Sequence, residues 1–347
     1  MLRKAKLSVL EAMRTTGLMT SLSRTDWRRQ RLLILCYHGI SLIDEHQWSS
    51  GLFMPVDLFE KRLRMLRDGG FNVLPLGEAL DRLERNDLPP KAVAITFDDG
   101  FADFYLQAFP LLQSYQMPAT VYLSTYYCYN NIPVFGLMVR YLMWRARESA
   151  PAIQDAGMGW NAPQSLGSAE GADMAYRMLD EFVTVNQIPA NDKEEIAKNL
   201  ARLLGLDYQK IRQARILSLM TPAEVKKIHN AGISVELHTH RHRTPHDPAL
   251  FTREIRDNRE GIEAITGEIP RHFCYPSGVW RPEMLPLLAE NGVISATTCD
   301  PGLTTRATTP LLLPRHIDTT LQAGAEFEGW LSGVSQFLPK RSRSPET

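Results

Sequence analysis

Short apolar runs alternate with helical patterns along most of the chain. Arg31–His38, Phe71–Leu74, Ala92–Phe97, Pro118–Leu123, Ile233–Leu237, His272–Tyr275, Ile294–Thr297 and Leu311–His316 read as strands. Their small, branched and aromatic residues form continuous rather than alternating runs, as in parallel strands buried on both faces. Between them the spacing predicts helices over Pro55–Gly70, with Leu58, Leu63, Met65 and Leu66 as core positions, and over Leu76–Asn86, Phe104–Ser114, Pro248–Ile265 and Pro282–Asn291. Thr221-Pro222-Ala223-Glu224 carries the signature of a capping box with proline at the first helical position, and opens a helix ending near Asn230. Strand–helix alternation of this kind argues for parallel strands joined by crossover helices. Seven or eight such units make an α/β barrel the expected architecture.

The alternation lapses between about 126 and 219. Gly and Ser gather at Ala156–Gly171, flanked by helical patterns at Phe135–Arg147, Asp173–Val185 and Asp192–Leu204. The segment is expected to be a helical insertion into one barrel spanning 31–338, without an independent core, and to help select substrate. Residues 339–347 are expected to be disordered.

Polar groups collect where the apolar runs stop. His38 follows the first strand, Asp98 and Asp99 the third, His238, His240 and His242 the fifth, Tyr275 to Gly278 the sixth, and Arg315 and His316 the last. Catalytic groups of (β/α) barrels sit at these carboxyl ends. Two carboxylates at the mouth of a buried strand repel each other unless a cation sits among them. A histidine pair four residues apart supplies neutral nitrogen ligands that a carboxylate oxygen can complete around zinc.

The 347 residues carry no net formal charge, so no global field recruits nucleic acid. Apolar residues make up 44% and charged residues 22%, the balance of a soluble globular protein. Cys36, Cys128, Cys274 and Cys299 form no CxxC pair, which argues against a thiolate zinc site and fits a reducing compartment. Residues 1–30 are basic, with Arg3, Lys4, Lys6, Arg14, Arg24, Arg28 and Arg29 against Glu11 and Asp26. Their apolar residues are too scattered for a signal-peptide core. This extension is expected to be an amphipathic helix, either loosely packed or lying on an anionic membrane, with the chain cytoplasmic or peripheral at the inner membrane face.

Thr96-Phe-Asp-Asp-Gly100, His238-Thr-x-x-His242 and Phe273-Cys-Tyr-Pro-Ser-Gly278 resemble the motifs of the polysaccharide deacetylases of the NodB-homology class, carbohydrate esterase family 4. Cys36-Tyr-His-Gly39 and Pro118-Ala-Thr120 match as well. The resemblance spans roughly 31–125 and 220–318. It implies a distorted, TIM-like (β/α) barrel that removes N-acetyl groups from amino sugars of a polysaccharide or lipid-linked glycan. It also implies that Asp99, His238 and His242 hold a divalent metal, usually zinc, and that Asp98 is the general base. A backbone N–H in the Tyr275–Ser277 turn would hold the oxyanion. His316 is the expected general acid, with Arg315 facing the pocket and His38 supplying the acid as the alternative. Many members carry arginine where this chain has Cys274, and Arg271 is expected to orient Asp98 in its place. His240 is a further candidate ligand. A glycan-binding barrel with a defective catalytic set, and another metal-dependent hydrolase or oxygenase, are the rival readings.

Overall fold

The structure is a computed structural model that describes residues 2–150, 152–153 and 163–339. Eight parallel strands form one curled sheet: β1 Leu33–Tyr37, β2 Asn72–Val73, β3 Ala92–Phe97, β4 Thr120–Leu123, β5 Ser234–Leu237, β6 His272–Cys274, β7 Ser295–Thr297 and β8 His316–Ile317. Their order is β7-β6-β5-β4-β3-β1-β8, with β2 beside the first half of β3. The curl closes on itself where Thr298 N–H donates to Leu313 O and Leu313 N–H to Ala296 O, just ahead of β8. The sheet is therefore a distorted (β/α) barrel, irregular because β2 leaves its sequential place between β1 and β3.

Side-chain alternation divides each strand between two cores. Leu33, Leu35, Tyr37, Val93, Ile95 and Phe97 point outward against helices, including Phe59, Leu63 and Leu66 of the helix Val56–Asp68. Fully burying one such side chain contributes about 1.5–3 kcal/mol. Ile34, Ala92, Ala94, Tyr122, Cys274 and Leu313 point inward, where the helix Leu76–Glu84 plugs the amino end with Leu76, Ala79 and Leu83. The next inward positions along the same strands are Cys36, Thr96 and Arg315, so chemistry begins where the inner core ends.

The capping box forms at Thr221 and Glu224, and the helix Pro222–Asn230 follows it. The segment before β8 differs from its expected strand. Pro310–Leu312 is a single 3₁₀ turn, Leu313 only bridges Thr297, and the ladder starts at His316. Pro310 and Pro314 lack the N–H that a longer strand would need.

Within the insertion the helices are Thr125–Asn130, Phe135–Ala146, Ala169–Val185, Ala190–Leu203 and Tyr208–Gln213. Contrary to expectation, they build a hydrophobic cluster of their own, with Leu142, Leu179, Leu200 and Leu204 at its centre and Phe53, Phe101 and Leu219 joining it to the barrel. Residues 156–162 of the glycine- and serine-rich stretch lie outside the described residues, as do residues 340–347 of the expected disordered tail.

The first helix, Leu2–Thr15, packs on the helix Gly324–Ser332 through Leu10, with Arg3–Glu326 and Arg14–Glu328 ion pairs. Arg28 is fully buried, donating to Leu331 O, Arg31 O and Ala92 O. Among the described residues no helix is long and apolar enough to cross a membrane.

Candidate metal and catalytic site

Asp99, His238 and His242 converge at the carboxyl ends of β3 and β5. Asp99 Oδ1 lies 3.2 Å from His238 Nε2 and 3.1 Å from His242 Nε2. The three ligand atoms all lie within 4.8 Å of one another. The donor set fits a divalent ion with borderline-soft preference: two imidazole nitrogens and a carboxylate oxygen.

The ring of His238 is held for this task. Its Nδ1–H donates to Cys274 O at 2.9 Å, which leaves Nε2 as the lone-pair nitrogen facing Asp99. Backbone placement is equally constrained. His238 N–H donates to Asn258 Oδ1 at 2.9 Å, and Asn258 Nδ2 donates to Leu123 O and Thr125 Oγ1. Asp99, Thr239, His242 and Ser277 all have positive φ, between 52° and 70°. Non-glycine residues rarely adopt this region, and clustered outliers of this kind accompany functional sites. Gly100, at φ 85°, is required for a second reason: a Cβ there would stand 2.4 Å from Leu123 Cδ1.

Asp98 points into the barrel and is engaged by Arg315. The guanidinium donates to both carboxylate oxygens, at 2.6 and 2.7 Å, and its Nε donates to Thr298 O at 3.0 Å. Both side chains are buried. Burial alone would raise the Asp98 carboxyl, but Arg315 outweighs it and holds the group well below the usual carboxylate range. Burial likewise opposes ionisation of Asp99, and the two histidines overcome it. The same exchange raises His238 despite its burial. The thiols of Cys36 and Cys274 complete the surroundings of Asp98 Oδ2, at 3.6 and 3.4 Å.

His38 Nε2 sits 3.8 Å from Asp98 Oδ2 at the pocket mouth, and burial lowers its basicity. His316 does not face this pocket. Adjacent residues of a strand face opposite ways, so with Arg315 inside, His316 lies outside. There it stacks on Trp330 at 4.7 Å and meets Gln322 Oε1 at 2.9 Å. Burial depresses its imidazole to about 3. Arg271 also departs from its expected place: it precedes β6 at the amino end, is exposed, and its backbone N–H meets Glu236. Arg315 occupies the position beside Asp98 instead. His240 turns away from the triad, with Nδ1 2.9 Å from Thr125 Oγ1.

In the Tyr275–Ser277 turn, Tyr275 N–H is taken by Thr297 O and Pro276 has none. Gly278 and Val279 N–H close the turn, which leaves Ser277 N–H as its donor without a partner among the described residues. The Tyr275 ring faces the outer core, with its hydroxyl on Leu311 O.

Glu254 carried no signal in the sequence. It is 1% exposed in the middle of a helix, where it accepts from Arg241 N–H and from the side chains of Arg241 and Arg243, clamping the loop that carries His242. Asn258, one turn further on, was equally silent.

The family model described as polysaccharide deacetylase matches residues 85–160 and 181–295, over half of the chain. The chain belongs to the polysaccharide deacetylase family. It is 38% identical over 94 residues to YxkH of Bacillus subtilis (strain 168), a stretch covering 27% of this chain and 32% of that protein. It is 29% identical over 101 residues to the poly-beta-1,6-N-acetyl-D-glucosamine N-deacetylase of Escherichia coli (strain K12), covering 28% of this chain and 14% of the relative. The matched stretches thus span less than a third of either relative's own length. In structure the chain resembles the Streptococcus pyogenes deacetylase PplD, with a TM-score of 0.57 at 20% identity over 89% of this chain and 99% of that one. That likeness is one of fold, and it covers nearly the whole deacetylase barrel.

Proposed function

We propose that the protein is a metal-dependent N-deacetylase of an N-acetylated glycan of the exopolysaccharide class, as its E. coli relative is named an N-deacetylase of poly-beta-1,6-N-acetyl-D-glucosamine. The observation that carries this reading is the division of labour between neighbouring carboxylates: Asp99 faces two imidazole nitrogens while Asp98 is reserved by Arg315. A divalent cation bound by Asp99, His238 and His242, zinc by donor type, would polarise the acetamide carbonyl and lower the pKa of a water. Asp98, kept ionised by Arg315, accepts that water's proton. His38, 3.8 Å away, is placed to receive the proton and donate it to the leaving amine nitrogen. Ser277 N–H is the backbone donor suited to the oxyanion.

The test is acetate release from N-acetylglucosamine oligomers by the zinc-loaded protein. Wild type is expected to turn over and Asp98→Asn to bind the ion without turnover. Full activity in Asp98→Asn would overturn the base assignment, and binding of glycan without acetate release would favour the glycan-binding reading.

We also propose that the amino-terminal segment meets an anionic membrane through Lys4, Arg24 and Arg29, which are exposed. Arg28 takes no part, being buried beneath the barrel. Co-sedimentation with phosphatidylglycerol vesicles, lost when these three become glutamine, is the expected outcome.

A further inference from the structure

Beside the metal triad, between the insertion and the histidine loop, lies a cleft of about 280 Å³. Tyr126, Tyr127, Phe135 and Lys193 line it from the insertion, and Arg241 and Arg243 from the loop. The cleft is joined to the site by short contacts. Arg241 and Arg243 flank His242, Tyr126 N–H donates to His240 O at 2.8 Å, and the Tyr126 ring meets that of His240 edge-on at 5.6 Å.

Charge in the cleft is unbalanced. Glu254 is shared by Arg241 at 3.1 Å and Arg243 at 2.7 Å, from beneath the loop. Asp257 lies 3.9 Å from Arg241 but is shared with Arg253 and Arg256. The carboxylate in the cleft wall, Glu194, is already engaged by Arg212 at 3.1 Å. Arg243 remains 54% exposed, and among the described residues its guanidinium meets Glu254 through Nε alone. Lys193 stands 5.9 Å from the Phe135 ring, on the opposite wall. Three cations thus face a space whose other walls are aromatic and aliphatic, with Glu194 the carboxylate among them.

We infer that this cleft is a subsite for the sugar residue next to the one that loses its acetyl group, and that it selects a residue bearing negative charge. The inference rests on the deacetylase reading and names its specificity. Aromatic faces cover the C–H faces of a pyranose ring, and a guanidinium fork meets a carboxylate or phosphate on two nitrogens. The volume is at the small end of ligand pockets, roughly 300–1,000 Å³, so it suits one ring rather than a longer stretch. Binding energy gathered here acts on the reacting acetamide through orientation.

Two probes separate the outcomes: a neutral N-acetylglucosamine oligomer and an oligomer alternating N-acetylglucosamine with glucuronate. For the zinc-loaded full chain, kcat/KM is expected to favour the acidic probe, less so as salt rises. Lys193→Gln is expected to lower the acidic-to-neutral ratio by about tenfold, the scale of one lost charge contact, through KM. Lys193→Arg should preserve the ratio, as should Lys198→Gln on the same helix. Equal kcat/KM on both probes, or a Lys193→Gln loss equal on both, would overturn the subsite. Calorimetric binding to Asp98→Asn keeps the two readings distinct. Charge-selective binding that Lys193→Gln weakens, with no acetate released by wild type, would sink the deacetylase reading and leave the subsite. Acetate release without charge-selective binding would do the reverse. A phosphorylated neutral oligomer that replaces the glucuronate probe distinguishes phosphate from carboxylate as the group read.

Discussion

Arg315 holds Asp98 by two parallel hydrogen bonds, 2.6 and 2.7 Å long, inside a barrel closed to solvent on that side. The pair links the last strand to the third and fixes the orientation of the proposed base. Replacing Arg315 by methionine leaves a buried carboxylate without its counter-charge, a change that costs about 3–5 kcal/mol in comparable sites. With the guanidinium gone, burial is opposed only by His38 and His238, and the Asp98 carboxyl rises. A depressed carboxyl contributes stability above its unfolded value and loses it as pH falls through the folded one. Arg315→Met should therefore move the acid limb of the kcat/KM profile to higher pH, and Arg315→Lys should restore part of the shift. An unmoved acid limb in Arg315→Met would mean that Asp98 does not govern it.

His38 and His316 make opposite predictions. His38→Gln is expected to lower kcat by about 10²–10⁴, the usual contribution of a positioned general acid or base. His316→Phe should keep most of its turnover, since the ring sits outside the barrel on Trp330. Single-turnover acetate release compares the two. Loss of turnover in His316→Phe with folding intact would return the acid role to the last strand.

The difference between these histidines shows where the sequence stops being informative. Strands ending in Asp98, Asp99 and His238 were legible because each apolar run stops at a polar pair. Leu311-Leu312-Leu313 has no alternation, so nothing in it sets which of Arg315 and His316 faces inward. Pro310 and Pro314 then break the ladder, and the strand is reduced to His316–Ile317. Arg271 was misplaced for a simpler reason: it precedes its strand, so the chain direction puts it at the amino end, away from the site. Glu254 and Asn258 act on the loop from a helix that follows it. Only the packing of that helix against β5 reveals what two polar residues on its buried side are for.

His316 also carries a stability prediction. Its imidazole is depressed to about 3, so the folded state prefers the neutral ring while the unfolded chain binds a proton near pH 6.5. Stability from this group is present above the unfolded value and is lost as pH falls below it. By about pH 4.5 the loss is roughly 2–3 kcal/mol from this residue. Urea unfolding at pH 7.5 and 4.5 should show a steeper decline in wild type than in His316→Phe, which keeps the stack on Trp330 without a titrating ring. Parallel declines would mean that the ring is reached by water.

The roles proposed for Asp98 and Asp99 separate catalysis from metal binding. Asp99→Asn weakens the donor set by replacing a carboxylate with an amide, whereas Asp98→Asn leaves all three proposed ligands in place. An ion that binds only the folded state stabilises it by about 2.7 kcal/mol at a free concentration one hundred times its Kd. Zinc should therefore raise the melting temperature of wild type and of Asp98→Asn, and raise that of Asp99→Asn much less. Mass spectrometry under native conditions should find one ion per chain in the first two. Chelation should abolish acetate release in wild type and zinc should restore it. Equal zinc content in Asp99→Asn would remove Asp99 from the ligand set and direct attention to Asp98 and the thiols around it.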